Sequence, residues 1–321
     1  METKVIVRRF RKGIDEHALV ELMNEEYRDY ASWWRGTTVE EILELEKSPS
    51  FNANERFVAE VDGKPVGLIH ARVEKTGEER HGFIRDFCVL TAFRGSGVEE
   101  KLLEAAVTEF KKHGIRQVRA WTGVYRTDRI AFLERSGFKF SHRTMDMRIS
   151  LENVPSNIGE NMKVTIRPVE LGEVREIEKL NWLANTCFKD DPLYAPETVE
   201  ETRFHLSKSL YGWQKYFFAV ADDHDVGYVG LAIDDKYNAE HEVKTGFVTW
   251  IGVLPAYRRR GIGTRLLLHS FSVLKGMGTT SASLDTEDSN PTRAITLYEK
   301  VGFRVLQEYV TYDKDIALAT S

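Results

Sequence analysis

Apolar and polar positions along the chain follow one series of patterns twice. In the first half, two short segments of alternating apolar residues flank Asp62-Gly63, which is typical of a β-hairpin. A long apolar strand is then predicted at 82–90, followed by apolar residues at helical spacing over 99–112. The second half repeats the hairpin, the long strand and the helix in the same order, at 216–233, 247–254 and 264–275.

Further elements flank this shared series in both halves. The first half opens with a strand at 5–7 and a helix at 16–25, and a strand at 117–121 and a helix at 128–136 follow the series. The equivalent segments of the second half are 164–166, 173–183, 281–284 and 292–301. Strands with helices interspersed, and closing strands at the end of each half, indicate an α+β fold with a mixed α/β sheet rather than a βαβ barrel.

The two halves also match residue by residue. Val89-Leu-Thr-Ala-Phe-Arg94 and Val253-Leu-Pro-Ala-Tyr-Arg258 stand 164 residues apart, and further matches occur in the same order. Such matches indicate an internal repeat whose loops absorb small insertions. We therefore predict two domains, 1–152 and 163–321. Residues 153–162 are the predicted linker, because Pro, Ser, Asn and Gly are concentrated there.

Composition and charge narrow the class of protein. Of the 321 residues, 42% are hydrophobic and 30% are charged, which is typical of a folded globular chain. The formal charge is −5, so general binding to nucleic acid or to anionic membranes is not expected. Cys88 and Cys187 are the only cysteines, which excludes a disulfide framework, and the histidines show no metal-ligand spacing. Because no signal segment is found, a cytoplasmic location is expected.

The segment between the long strand and the helix of the second half carries candidate binding chemistry. Three arginines, Arg258, Arg259 and Arg260, precede Gly261 and Gly263. Glycine lets a ligand approach the backbone closely, and the free N–H groups at the start of a helix attract an anion. Arginine adds charge-assisted hydrogen bonds to phosphate oxygens. The segment thus predicts a site for a pyrophosphate-sized anion, although a solvated basic turn before a helix has the same composition.

Two motifs in the second half resemble those of the GNAT superfamily of N-acetyltransferases. The pattern Arg258-x-x-Gly261-x-Gly263 resembles the acyl-CoA loop of that family. The stretch from Asn290 through Leu297-Tyr298-Glu-Lys-Val to Gly302-Phe303 is similar to a second family signature. The tandem layout resembles that of mycothiol synthase-type members. The resemblance implies two GNAT-like acyl-CoA N-acyltransferase domains, with acetyl-CoA as cosubstrate and no metal.

The resemblance also implies where the cosubstrate binds. In the family, the strand before the loop and the next strand diverge, and the pantetheine arm of CoA lies between them. Backbone groups of the first strand would pair with pantetheine, the loop would hold the pyrophosphate, and an asparagine would contact the CoA arm. The residues implied for cofactor binding are Ile251, Val253, Arg258, Arg259, Arg260, Gly261, Ile262, Gly263, Thr264 and Asn290.

Two residues of the second half are implied to be catalytic. Tyr298 occupies the position of the family's general acid, which protonates the leaving thiolate; a core tyrosine on an amphipathic helix is the alternative. Asp285 is the candidate general base, although a carboxylate that caps a strand end is equally consistent with its position. A water relayed from Glu240, His241 or Glu242 is another candidate base, and some family members have none.

The first half departs from this pattern. Glu99 stands where the second half has Gly263, next to Glu100, and Leu133 stands where the second half has Tyr298. Carboxylates would repel a pyrophosphate, while they suit the first turn of a helix that holds no ligand. We therefore predict that the first half keeps the fold and has lost the CoA site. The alternative is that CoA binds there in an altered pose.

These observations together predict an N-acetyltransferase whose active site lies in the C-terminal domain. The acetyl group would pass from acetyl-CoA to an amine by direct attack in a ternary complex. A small-molecule amine is the first choice of acceptor. The segment Phe188–Tyr194 lies in a region that often shapes the acceptor site in the family, although a plain surface loop is an equally good interpretation. The alternatives are a protein N-terminus or lysine as acceptor, or a non-catalytic acyl-CoA sensor. No nucleic-acid or membrane partner is expected, and the chain would be a monomer or a homodimer.

Overall fold

The protein forms two compact units that do not coincide with the two halves of its sequence. The computed structural model describes residues 4–28, 30–76, 79–152, 154, 164–191, 193–207 and 212–318. Unit 1 comprises 1–143 and 309–321, and unit 2 comprises 144–308. The predicted linker, 153–162, lies outside the described residues apart from Val154.

Strands and helices occur in the order that the hydrophobic pattern predicts. The first half contains β1 (Val5–Arg9), α1 (Glu16–Arg28), α2 (Val39–Leu45), β2 (Arg56–Val61), β3 (Lys64–Thr76), β4 (Glu79–Val89), α3 (Val98–Lys112), β5 (Gln117–Gly123), α4 (Thr127–Arg135) and β6 (Lys139–Ser150). The second half contains β7 (Thr165–Pro168), α5 (Val174–Cys187), α6 (Val199–Ser207), β8 (Gly212–Ala221), β9 (His224–Asp234), α7 (Asp235–Glu240), β10 (Thr245–Val253), α8 (Ile262–Gly276), β11 (Ser281–Glu287), α9 (Ala294–Val301) and β12 (Arg304–Asp315). The α+β prediction is confirmed.

Three short helices, α2, α6 and α7, were not anticipated by the hydrophobic pattern. Each spans nine residues or fewer, so the apolar period has too few turns to stand out. Local capping marks one of them instead, because the Thr38 hydroxyl accepts from the Glu41 N–H and the Glu41 carboxylate accepts in return from the Thr38 N–H. No helix in the described part of the chain is long and apolar enough to cross a membrane.

The sheet of each unit is mixed and is covered on both faces. In unit 1 the strand order is β1-β2-β3-β4-β5-β12, and the pair β4 and β5 is parallel. In unit 2 the order is β6-β11-β10-β9-β8-β7, and the equivalent pair β10 and β11 is parallel. In unit 2, α8 buries Leu266, Phe271 and Leu274 against one face, while α5 buries Leu180 and Leu183 against the other.

Each unit receives its last strand from the other half of the sequence. β12 pairs antiparallel with β5, and β6 pairs antiparallel with β11. The exchanged strands are equivalent in the repeat, so each offers a matching apolar face to the other's sheet. On β6 this face consists of Met145, Met147 and Ile149, which are buried in the core of unit 2.

The parallel strands of each unit diverge after three paired residues. β10 and β11 pair over Thr245–Phe247 and Ser281–Ser283, and β4 and β5 pair over Gly82–Ile84 and Val118–Ala120. Next to the divergence, the pairing of β10 with β9 shifts register between Val248 and Trp250, which is the sign of a β-bulge. Beyond these residues the parallel pairing stops in the described part of the chain, and the resemblance implies that the pantetheine arm lies between such diverging strands.

Candidate functional site

The loop that leads from β10 into α8 has a left-handed backbone at two positions. Arg259 has φ +63° and Gly261, the N-cap of α8, has φ +78°. A non-glycine residue in this region is strained, and such strain concentrates at functional sites. Within the part of the chain that the structure describes, no side chain caps the first N–H groups of α8, which include those of Ile262, Gly263 and Thr264. The loop therefore presents a concave group of backbone donors, as an anion site requires.

The three loop arginines have different surroundings. Arg258 is half-buried, and its Nε donates to the Val253 carbonyl at 3.2 Å while its Nη2 donates to the Cys187 carbonyl at 2.6 Å. These bonds tie the loop to the end of α5. Arg259 and Arg260 are exposed, and the Arg260 guanidinium lies 4.9 Å from the centre of the Tyr257 ring. Arg258 thus braces the loop, and the other two present their charges to solvent.

The equivalent loop of unit 1 has the same backbone and holds an anion. Gly95 and Gly97 have φ +72° and +89°, and Arg94 Nε donates to the Val89 carbonyl at 3.1 Å, as Arg258 does to Val253. The Glu99 carboxylate folds back on this loop, and its two oxygens lie 3.2 and 3.3 Å from the Gly95 nitrogen, which donates to them. Glu99 is buried. A negatively charged group therefore occupies this loop geometry in one of the two units.

The other residues implied for cofactor binding line the gap or its rim. Ile251 and Val253 are half-buried on β10, and both are paired with β9 on one edge of that strand. On the other edge, the pairing of β10 with β11 has already ended at Phe247. Asn290 lies in the loop between β11 and α9. Its Nδ2 donates to Asp191 at 3.3 Å, and its Oδ1 accepts from the N–H and hydroxyl of Thr292 at 2.9 and 2.6 Å. Asn290 therefore orders the loop between β11 and α9 and links it to Asp191.

The structure brings the two candidate catalytic residues together. Tyr298 is buried on α9, and burial raises the pKa of its phenol well above the usual value, to which the nearby Asp285 carboxylate contributes. Asp285 lies on β11 where it diverges from β10, and its side chain can be reached by solvent. The protein packed around this cleft raises the pKa of the Asp285 carboxyl through desolvation. The candidate acid and the candidate base thus both have perturbed pKa values, and they lie close enough for the charge of one to act on the other.

The alternative base candidates lie elsewhere in unit 2. Glu240, His241 and Glu242 are exposed around the end of α7, and the His241 ring packs against Tyr237 at 4.3 Å. They precede the first residue of β10, at the end where β10 and β11 are still paired. Asp285 lies at the open end, and it is therefore the candidate that the geometry favours.

In unit 1 the cleft is closed by different side chains. Leu133, at the position equivalent to Tyr298, is fully buried in the apolar core. Trp121 lies on β5 at the position equivalent to Asp285, and its indole N–H donates to the Arg85 carbonyl at 3.1 Å, where β4 diverges from β5. In unit 1, the loop that would receive pyrophosphate is thus bonded to Glu99 through the Gly95 N–H. The Arg85 carbonyl, in the gap that would receive pantetheine, is bonded to Trp121.

Two features of the unit 2 cleft were missed by sequence reasoning. Asp146 on β6 lies directly opposite Asp285 in the antiparallel register. Trp250 on β10 makes ring contacts with Phe188 and Tyr194, at 5.8 and 6.4 Å between ring centres. The repeat cannot reveal Asp146, because it assigns β6 to the first domain. The bulge in β10 cannot be read from an apolar strand pattern either, although Trp250 stands in the middle of that pattern.

Comparison with known proteins identifies the family of both halves. The model of the acetyltransferase (GNAT) family matches residues 18–138 and 176–303. An N-alpha-acetyltransferase of Sulfurisphaera tokodaii is 33% identical over 163 residues, which is 48% of this chain and 89% of that protein. The mycothiol acetyltransferase of Nocardia farcinica is 25% identical over 270 residues, 81% of this chain and 82% of that protein. An uncharacterized N-acetyltransferase of Methanocaldococcus jannaschii is 35% identical over 86 residues, and the match spans 38% of its length.

Solved structures share the whole architecture. A tandem GNAT protein from the clavulanic acid biosynthesis pathway superposes with a TM-score of 0.70 over 99% of this chain and 100% of that one, at 13% identity. The family model matches the sequence of each half separately, and this structure shares the fold of nearly the whole chain. The chain therefore belongs to the acetyltransferase (GNAT) family, as an acyltransferase with two GNAT domains in tandem.

Proposed function

We propose that unit 2 transfers the acetyl group of acetyl-CoA to the primary amine of a small molecule, by direct attack in a ternary complex. One observation carries this proposal: the loop of unit 1 already binds a carboxylate through the Gly95 N–H. In unit 2 the same loop has glycine at position 263 instead of glutamate, and arginines surround it. The donors that hold Glu99 in unit 1 are thus available to a pyrophosphate in unit 2.

The proposed chemistry assigns one role to each group in the cleft. Asp285 accepts a proton from the ammonium group of the acceptor, and the amine nitrogen then attacks the acetyl carbonyl carbon. A backbone N–H near Val253 polarises that carbonyl. The N–C bond forms as the C–S bond breaks, and Tyr298 donates its proton to the departing thiolate. The tyrosine recovers a proton from the acylated nitrogen, so the products are the acetamide, free CoA and one proton.

The raised pKa of Tyr298 keeps its phenol protonated at neutral pH, so a proton is present when the thiolate leaves. It also makes the phenol a weaker acid than a thiol, whose ordinary pKa is about 8.5. In the proposed reaction, the transfer therefore depends on the hydroxyl being held against the sulfur while negative charge develops there as the C–S bond breaks. The hydroxyl of Tyr298 forms no hydrogen bond with the described residues, which leaves it free to donate to a substrate.

Calorimetric titration of acetyl-CoA into the full chain tests the proposal. We expect one binding site per chain, because unit 2 has the open loop and unit 1 has a loop engaged by Glu99. Two sites per chain would mean that the carboxylate of Glu99 is displaced by the pyrophosphate. An absence of binding would contradict the proposed function as a whole.

The pH dependence of turnover tests Asp285 as the base. Its pKa is raised above the ordinary value of 3.8, so the ionised form that accepts a proton is lost as pH falls through the raised value. We therefore expect the acid limb of kcat/KM to lie at a higher pH than an unperturbed aspartate would give.

Asp285→Asn should lower kcat about 100-fold or more and remove this acid limb from the pH profile. It should leave stability unchanged or raise it slightly, since the protein around the cleft partly desolvates the charged carboxylate. An unaltered pH profile in this variant would exclude Asp285 as the base.

A protein N-terminus is the second candidate acceptor. The observation that favours it is the 33% identity to the N-alpha-acetyltransferase of Sulfurisphaera tokodaii, which exceeds the identity to the mycothiol acetyltransferase. Against it stands the likeness over most of the chain to the tandem mycothiol acetyltransferase. Competition between a tetrapeptide with a free N-terminus and a panel of small primary amines distinguishes the two acceptors through their kcat/KM values.

A further inference from the structure

Unit 1 carries a group of aromatic rings on the face of its sheet that α1 covers. The centre of the Tyr27 ring lies 5.6 Å from that of Trp33 and 5.9 Å from that of Trp121 on β5. The ring centres of Trp33 and Trp121 are themselves 6.2 Å apart, so the three rings stand at the corners of a nearly equilateral triangle. Tyr27 is buried, whereas Trp33 has 40% of its surface exposed and Trp121 is half-buried. The two indoles are therefore the part of this aromatic triangle that a ligand can reach.

A carboxylate adjoins the aromatic triangle. The Tyr27 hydroxyl donates to Asp86 Oδ1 at 2.9 Å, so Asp86 lies at the edge of the ring that contacts both indoles. Asp86 Oδ2 is 3.5 Å from His70 Nδ1, and His70 Nε2 is 3.6 Å from a carboxylate oxygen of Glu55. Both carboxylate side chains are half-buried and keep some contact with solvent. This edge of the triangle thus carries two acidic groups on either side of one imidazole.

The arginines next to this edge each have a carboxylate of their own. Arg56 Nη1 lies 3.5 Å from Glu46 Oε1, within a buried ion pair. Arg85 Nη2 donates to Glu74 at 2.6 Å. With these two pairs formed and the imidazole neutral, the two acidic groups beside the triangle leave a net negative charge there. Such a charge next to exposed indoles attracts a cation and repels an anion.

Comparison of the two units places this group at the position of the proposed acceptor cleft. Asp86 on β4 is equivalent to Trp250 on β10, and Trp121 is equivalent to Asp285, each pair standing 164 residues apart. Both units therefore have one tryptophan and one aspartate on their two diverging strands, with the places of the two exchanged. Unit 1 thus presents rings and a carboxylate where unit 2 has them, although its own phosphate loop is bonded to Glu99.

We propose that unit 1 binds a small quaternary ammonium cation against the rings of Tyr27, Trp33 and Trp121, beside Asp86. The negative face of an aromatic ring attracts a cation within about 6 Å of its centre, and tryptophan does so most strongly. Asp86 already accepts from Tyr27 and faces His70, so it offers its charge to a ligand rather than several new hydrogen bonds. A quaternary nitrogen needs no hydrogen bond, whereas a primary ammonium has three N–H donors that need acceptors. The site therefore favours the fully alkylated cation.

Titration of choline into the full chain, followed by tryptophan fluorescence, tests the proposal. We expect saturable binding with a dissociation constant at least about tenfold below that of 3,3-dimethylbutan-1-ol, which has the same shape with carbon in place of the charged nitrogen. Ethanolamine, which keeps its N–H groups, should bind less tightly than choline. Equal dissociation constants for choline and the alcohol, tighter binding of ethanolamine, or an absence of saturable binding would each overturn the proposal.

Substitutions locate the site. Trp33→Ala should weaken choline binding about tenfold, and the exposed indole can be removed without opening the core. Asp86→Asn should weaken it about fivefold, because asparagine keeps an oxygen for the Tyr27 hydroxyl and removes only the charge. The control is Trp182→Ala, which removes an indole that is 54% exposed on α5 of unit 2 and should leave choline binding unchanged. Loss of choline binding in Trp250→Ala, with Trp33→Ala unaffected, would place the cation in unit 2 and overturn the proposal.

Titration of acetyl-CoA into the same preparations separates this proposal from the acetyltransferase reaction. Trp33→Ala should bind acetyl-CoA as tightly as the wild-type chain, since the proposed CoA site lies in unit 2. Failure of acetyl-CoA binding would contradict the proposed function and leave choline binding by unit 1 as an independent result. Failure of choline binding would overturn the cation site and leave the proposed function standing.

Discussion

Gly263→Glu is expected to weaken acetyl-CoA binding at least about 100-fold. The substitution copies into unit 2 the residue that folds onto the loop in unit 1, where the Glu99 carboxylate accepts from the Gly95 N–H. A carboxylate at this point would take the donors of the loop and repel the phosphates, and each lost charged hydrogen bond is worth about 1.5–3 kcal/mol. Calorimetric titration of acetyl-CoA into the variant measures the loss directly.

Two further substitutions at the same position separate charge from size. A Cβ at position 263 would lie 3.1 Å from the Leu297 side chain, so Gly263→Ala gives the steric baseline. Gly263→Gln has the length of glutamate without its charge, and it should retain most of the affinity that Gly263→Ala retains. If Gly263→Gln and Gly263→Glu weaken acetyl-CoA binding equally, the loss of affinity is not caused by the negative charge. The comparison with Glu99 would then not support a pyrophosphate site at this loop.

Tyr298→Phe is expected to lower kcat by about 10² to 10⁴ without loss of acetyl-CoA affinity. The hydroxyl is the proton donor to the leaving thiolate in the proposed reaction, and general acid catalysis contributes a factor of this size. The ring stays, so its packing in the core of unit 2 is preserved. Steady-state kinetics with calorimetry on the same preparation tests the separation of turnover from binding.

The control for this variant is Tyr312→Phe in unit 1. Tyr312 is also buried, and its hydroxyl donates to Glu134 of the same unit at 3.1 Å. It should alter stability slightly and turnover not at all. If Tyr298→Phe retains full turnover, Tyr298 is a core residue and the thiolate takes its proton from another group or from water. A chain that only senses acyl-CoA would show no turnover to lose.

The sequence allowed much of the fold to be predicted, because its main elements depend on local patterns. The strand and helix periods, the repeat and the Gly261 helix start all involve residues close together in the chain, and the structure has each of them. The sequence likewise predicts a phosphate loop from Arg258 to Gly263 and the loss of that site in the first half from Glu99, and both stay predictions. The same reasoning could not tell that Arg258 is held by the carbonyls of Val253 and Cys187. That contact depends on where α5 ends in space.

The sequence by itself determined the family and its tandem occurrence, since motif spacing encodes them, and it nominated the candidate anion loop and the candidate proton donor. Only the tertiary structure decided which strand completes each sheet. In the repeat, Asp146 is equivalent to Thr311, so an unexchanged second domain would place Thr311 beside Asp285. The structure instead pairs Asp146 with Asp285 and Thr311 with Trp121. Two strands with matching apolar faces fit either sheet edge, and the choice between them depends on packing along their whole length, which no local pattern contains.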